Sequence, residues 1–121
     1  GRKNSQEKLT TIPNALFEIT PVAFSPDGDG WQDYCLLSYT TRQNGQMATI
    51  TIADATGRII KRLVPQALLA TAGYFIWNGE NDKGQLCAPG NYIVIIEQFN
   101  LNGITRTTRL PLVVTYSFKK F

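Results

Sequence analysis

The densest chemistry in this chain is one short acidic turn, Asp27-Gly28-Asp29-Gly30-Trp31-Gln32-Asp33. It sets carboxylates at i, i+2 and i+6, with glycines between them that let the backbone curl. Hard cations such as calcium take six to eight oxygen ligands at about 2.3–2.6 Å. Asp27, Asp29 and Asp33, helped by backbone carbonyls and water, form a candidate calcium set. The spacing overlaps positions 1, 3 and 7 of an EF-hand loop. It departs from one at Trp31, at Gln32 where glycine is required, and at Ser38 where the bidentate glutamate belongs. The competing reading is an Asx-type turn, in which the carboxylates accept hydrogen bonds from nearby backbone N–H groups and start the following strand. Both readings stand at this level.

Other chemistry is thin. The chain has no histidine, which removes the usual general base, the Ser-His and Cys-His pairs and most zinc sites. Glu80, Asp82 and Glu97 are the remaining carboxylates that invite pairing as glycosidase acids. That mechanism needs two carboxyls at a set separation across a cleft, and no spacing here demands one. The sequence therefore reads as non-enzymatic. Trp31, placed in a turn, is a candidate ligand residue, a stacking platform for polysaccharide; a packing role is the alternative. Trp77 lies in an aromatic run and reads as core. Cys35 and Cys87 fit either one disulfide or two buried thiols.

The whole chain of 121 residues is of single-domain size. It is 43% hydrophobic and 17% charged, so it can bury a core and is not disordered by composition. Twelve Lys and Arg against nine Asp and Glu give a net +3. The cations are scattered rather than arranged as a basic stripe, which argues against nucleic-acid binding. No apolar run reaches the roughly 18 residues of a membrane span.

The elements that must position these residues are strands. Ile12–Ile19 reads as a first, edge-like strand between Pro13 and Pro21, and Tyr34–Tyr39 as a second. Met47–Asp54 alternates Ala48, Ile50 and Ile52 with Thr49 and Thr51, a half-buried strand of period two. A loop at Ala55-Thr56-Gly57 leads into Arg58–Val64. Residues 65–72 (PQALLATA) are where a helical turn is expected. Gly73–Trp77 is a short aromatic strand, followed by a polar loop to Gly90 with a tight turn at Asp82-Lys83-Gly84. Asn91–Asn100 is apolar on both faces and reads as a central strand. Ile104–Tyr116 returns after a turn at Leu101-Asn102-Gly103, and Pro111 places it at a sheet edge. About seven short strands at sandwich-like intervals predict an all-β, Ig-like two-sheet antiparallel β-sandwich over residues 15–121. Residues 1–14 read as a linker or the end of a preceding domain.

Several blocks together resemble a known kind of module. Phe24-Ser25-Pro26-Asp27-Gly28-Asp29-Gly30-Trp31-Gln32-Asp33 is similar to the SPDGDGxxD opening of C-terminal Ig-like modules in secreted Bacteroidetes proteins. Ile52-Ala53-Asp54-Ala55-Thr56-Gly57-Arg58, Trp77-Asn78-Gly79-Glu80-Asn81-Asp82-Lys83-Gly84 and Pro89-Gly90-Asn91-Tyr92 follow in the order seen in flagellar hook-cap (FlgD-like) Ig domains and the gliding-motility-associated C-terminal family. Lys3-Asn4-Ser5-Gln6 resembles the exit of a lamin-tail domain. The resemblance implies a non-catalytic module of a larger exported or cell-surface protein. Its expected partners are neighbouring domains, polysaccharide or the type IX secretion machinery, with the basic tail Tyr116–Phe121 compatible with sorting or anchoring. It implies an extracytoplasmic setting, where a Cys35–Cys87 bridge is chemically permitted.

Overall fold

The structure, a computed structural model, describes residues 15–26, 33–41 and 45–116. The expected linker at 1–14 and the basic tail end lie outside them. Among the described residues eight strands form: β1 (Ala15–Thr20), β2 (Ala23–Phe24), β3 (Cys35–Thr41), β4 (Met47–Asp54), β5 (Ile59–Leu68), β6 (Ala72–Trp77), β7 (Gly90–Phe99) and β8 (Thr105–Val114). They make two sheets, one ordered β1-β3-β6 and the other β2-β8-β7-β4-β5. Among the described residues there is no helix.

The sequence alternation maps onto burial. In β4, Ala48, Ile50 and Ile52 are fully buried while Thr49 and Thr51 are half-exposed. In β7, Tyr92, Val94 and Ile96 point inward. Ile50, Ile52, Ile96, Leu112 and Val114 of the larger sheet face Cys35, Leu37 and Trp77 of the smaller one in one continuous core. Burial of side chains of this size stabilises by about 1.5–3 kcal/mol each. That inward face is what makes two layers necessary, because neither sheet alone hides it from water. The architecture is the expected Ig-like sandwich, and β7 is the central strand of its sheet, as its two apolar faces require.

Four details differ from the sequence expectation. The first strand runs to Thr20, one residue past the expected end at Ile19, and its expected start at Ile12 lies outside the described residues. The eighth strand is β2, only two residues long and parallel to β8 through Ala23↔Val113 and Phe24↔Val114; two residues carry no periodicity to detect. The helical turn expected at 65–72 is absent, since β5 runs on to Leu68 opposite Met47. Long-range pairing with β4 overrides the local preference of Ala and Leu there. Pro65 is accommodated because Ala48 pairs Ala67 while Ile50 pairs Val64, a bulge that leaves Pro65 out of the ladder. Lastly, β8 is not the terminal strand of its sheet, yet Pro111 does face an open flank. The Val113 and Thr115 N–H groups donate outward to Val22 and Phe24 carbonyls at 2.8 and 2.9 Å. By the two-residue repeat, the ring nitrogen of Pro111 also faces away from β7, beyond the reach of short β2.

Candidate functional site

The residues that carry the sequence resemblance converge on the turns and on the crossover from β6 to β7. Asp54 closes the β4–β5 hairpin. Its Oδ1 accepts from the Thr56 N–H (3.0 Å), the Thr56 hydroxyl (2.6 Å) and the Arg58 N–H (3.1 Å). Its backbone pairs with Arg58 and Gly57. Asn81 repeats the arrangement, with Oδ1 accepting from Lys83 and Gln85 N–H at 2.9 and 3.0 Å. Asn100 repeats it again, accepting from Asn102 and Ile104 N–H at 3.0 and 3.1 Å. Each turn has its glycine three positions on, at Gly57, Gly84 and Gly103, with φ of 91°, 77° and 80°. That is a three-residue hairpin loop with its last residue in the left-handed region. The shared spacing, Asp or Asn, two residues, then Gly, was readable in the sequence but escaped notice as one device. Hydrogen bonding to Thr56 first, and to the Arg58 and Thr56 backbone, holds the Asp54 carboxyl below its usual range. Arg58 also lies 3.6 Å from its Oδ2.

The crossover is held by aromatic side chains. Trp77 is buried, as expected, and its indole N–H donates to the Glu80 carbonyl at 2.9 Å. It packs edge-on against Phe24 and Tyr92, with ring centroids 5.5 and 6.0 Å apart. Tyr92, near the start of β7, donates its hydroxyl to the Ala88 carbonyl at 2.6 Å. This is the tyrosine-corner arrangement of Greek-key sandwiches. Tyr116 donates to the Cys87 carbonyl at 2.7 Å. At Gly79 a Cβ would fall 2.6 Å from Pro26 Cγ, so glycine in the Trp77-Asn78-Gly79 block is a packing requirement.

Cys35 and Cys87 are both buried free thiols, the second of the two alternatives the sequence left open. Burial pushes the Cys35 thiol up to about 12 and raises Cys87 as well. Both are thus neutral at ordinary pH and poor nucleophiles. Burial likewise raises the Tyr92 phenol, with Cys87 adding to the effect. Asp33 sits half-buried just ahead of β3; Asp27, Asp29 and Trp31 lie outside the described residues. Among the described residues no three metal-ligating side chains gather. Glu80 and Asp82 belong to the crossover loop, and Glu97 to the exposed face of β7. The Asp82 N–H donates to the Ile60 carbonyl at 3.0 Å, and its Oδ1 accepts from the Arg62 N–H at 3.0 Å. Asp82 therefore caps the outer edge of β5.

Two surface features remain. An open hollow of about 410 Å³ lies over β1 and β3, lined by Leu16, Phe17, Glu18, Ser38, Tyr39 and Thr40. On the outer face of the same sheet Leu16, Tyr74 and Ile76 are exposed, beside half-buried Leu36.

No protein-family model matches the chain, and no curated protein matches it. Solved structures do. PorZ of Porphyromonas gingivalis, described as an essential bacterial surface component of the type-IX secretion system, superposes with a TM-score of 0.53 at 19% identity. The match covers 82% of this chain and 11% of that one. FlgD of P. aeruginosa gives 0.53 at 20% identity over 67% of this chain and 61% of that one. CopC of Methylosinus trichosporium OB3b gives 0.50 at 12% identity over 91% and 100%. At these identities the likeness is one of fold, the β-sandwich. No helix among the described residues is long and apolar enough to cross a membrane.

Proposed function

We propose that this chain is a non-catalytic Ig-like accessory module of a larger exported or cell-surface protein, serving as a spacer, an interaction domain or a sorting and anchoring element. The observation that carries the reading is where the motif side chains go. Asp54, Trp77, Asn81 and Tyr92 are all engaged in turn, corner and core contacts. A motif used in this way specifies a scaffold, and a scaffold recurs as a part of longer chains. The fold likeness to one stretch of PorZ and to much of FlgD supports that setting. So does the order of the sequence blocks that resemble the FlgD-like and gliding-motility-associated modules.

The test is to append the chain to the C-terminus of a secreted reporter in a bacterium that uses type IX secretion. Surface delivery of the fusion, lost when the module is removed, supports a sorting or anchoring role. Surface delivery unchanged by removal restricts the role to spacing or interaction. The polysaccharide-binding alternative rests on Trp31 and gains exposed Tyr34, just ahead of β3, and exposed Tyr74 on β6. Glycan-array binding abolished by Trp31→Ala would displace the accessory reading in favour of that one.

A further inference from the structure

The sandwich has four lateral edges, and three of them are guarded. β5 carries Lys61, Arg62 and Pro65, is bulged against β4, and has Asp82 bonded along it. The flank of β8 beyond β2 presents Arg106, Arg109 and Pro111. β1 carries the charged Glu18 and stops before Pro21. These are the devices by which sheet proteins prevent edge-to-edge pairing.

β6 has none of them. Its sequence Ala-Gly-Tyr-Phe-Ile-Trp has no charge and no proline, and its register with β3 is unbroken from Cys35↔Trp77 to Thr40↔Ala72. The Thr41 N–H donates to the Thr71 carbonyl at 2.8 Å, which marks that pair as hydrogen-bonded. By alternation the N–H and C=O groups of Gly73, Phe75 and Trp77 face β3, and those of Ala72, Tyr74 and Ile76 face outward. Among the described residues, no backbone or side-chain group pairs with these three.

We propose that β6 is a homodimerisation edge, joining a second copy of this chain antiparallel about Tyr74. The strand matches itself under that two-fold axis. Tyr74 opposes the second copy's Tyr74 as a hydrogen-bonded pair, and Ala72 opposes the second copy's Ile76. All the outward groups then meet complementary ones. On the outer face, Tyr74 lies beside Tyr74, a favourable aromatic cross-strand pair. The larger Ile76 lies beside the smaller Ala72, and no like charges meet. Half-buried Leu36 and exposed Ile76 of one copy fall in a row with Ala72, Thr40 and exposed Leu16 of the second copy, across a continuous six-stranded sheet (three strands from each copy). Main-chain pairing supplies the affinity in strand addition of this kind. The inference stands independently of the accessory-module reading, since it draws only on the edge.

The test is sedimentation equilibrium on the 121-residue chain over a concentration series, with amide hydrogen exchange in parallel. The expected result is a shift from one chain to two as concentration rises. With it, the Ala72, Tyr74 and Ile76 amides gain protection, while those of Gly73, Phe75 and Trp77 are protected throughout. Tyr74→Lys and Tyr74→Glu each place like charges directly opposite one another and should weaken association more than about tenfold. Mixing the two variants should restore a heterodimer. A chain that stays single at every concentration, or outward amides that exchange freely at all of them, overturns the proposal. So does a dimer unaffected by both variants, which would place the contact elsewhere. Protection of the outward amides only on adding a heterologous extended peptide would assign the edge to a different occupant and also overturn the homodimer.

Discussion

Replacing Tyr92 by Phe isolates the contribution of the tyrosine corner. The ring stays, so its edge-on contact with Trp77 at 6.0 Å is preserved. What is lost is a single hydroxyl, which donates to the Ala88 carbonyl at 2.6 Å. A net intramolecular hydrogen bond is worth about 0.5–1.5 kcal/mol, and an acceptor left dry costs about 1–3 kcal/mol. Ala88 is exposed, so its carbonyl regains water and the lower part of that range applies, about 1–2 kcal/mol. At about 2.1 cal/mol/K per residue, a chain of this length has an unfolding entropy of about 0.25 kcal/mol/K, so Tm should fall by about 4–8 °C. Thermal and urea unfolding followed by circular dichroism measure it, and the urea m-value should be unchanged. Tyr39→Phe is the internal control. Its hydroxyl accepts from the exposed Ala70 N–H at the longer distance of 3.2 Å, so its loss should cost under about 1 kcal/mol. The pH dependence adds a second check. The folded pKa of Tyr92 lies above its ordinary value, so the phenol's contribution is complete below the unfolded pKa of about 10 and is lost as pH rises through the folded one. The gap between native chain and variant should therefore narrow in alkali. A Tyr92→Phe change smaller than that of Tyr39→Phe, or a gap that widens above pH about 10, would refute the assignment of this tyrosine as the corner.

Asp54→Ala should destabilise measurably in urea titrations, whereas Asp54→Asn should be close to neutral, because Asn81 and Asn100 perform the same acceptor role in the sister turns. The Asp54 carboxyl is held low by those bonds. Its contribution is thus present above the unfolded pKa of about 4 and fades as pH falls through the folded value, a dependence that Asp54→Asn should reduce. Gln98 is wholly buried on the inner face of β7, with neither amide atom hydrogen-bonded among the described residues. Gln98→Met should therefore be neutral or stabilising in thermal melts, and a loss above about 1 kcal/mol would mean that the amide is satisfied in solution. If Asp27, Asp29 and Asp33 bind calcium, an excess of about 100 times Kd stabilises by about 2.7 kcal/mol and a chelator reverses it. An Asx turn shows no response to either.

Legibility followed the range of the interactions. β4 was plain because period-two alternation is local, and the core residues Ile50 and Ile52 come directly from it; β7 was plain from its continuous apolar run, which does not itself say that Val94 and Ile96 are the residues facing the core. β5 past Val64 was not, because Gln66-Ala67-Leu68 suits a helix locally and becomes strand only through Met47 and Ala48 across the ladder. The Pro111 signal was correct about an unpaired flank and wrong about position, since it reports only where one missing N–H points. Trp77 as core and the turns at Gly57, Gly84 and Gly103 were readable from residue type. The openness of β6 was not, because being an edge depends on strand order, which no single segment encodes. The thiol state of Cys35 and Cys87 is likewise a property of where two distant elements settle.

That division has a consequence for function. Side chains that recur as a pattern here are those whose loss would damage the fold: the acceptors at Asp54, Asn81 and Asn100, the Trp77 indole, the Tyr92 hydroxyl. Chains sharing them are expected to share a sandwich and nothing more specific. What distinguishes one such module from another must then lie on surface that the pattern leaves alone. In this chain the outer face of the β1-β3-β6 sheet qualifies, with Leu16 at 75% and Tyr74 at 60% exposure on a sheet whose last strand is unguarded. Exposed apolar side chains scattered singly need no explanation. Here they lie on the same face as an open hydrogen-bonding edge, and that combination is costly unless something covers it. Substitutions there should change association and leave the urea midpoint of the folded monomer nearly untouched. Substitutions in the motif should do the reverse.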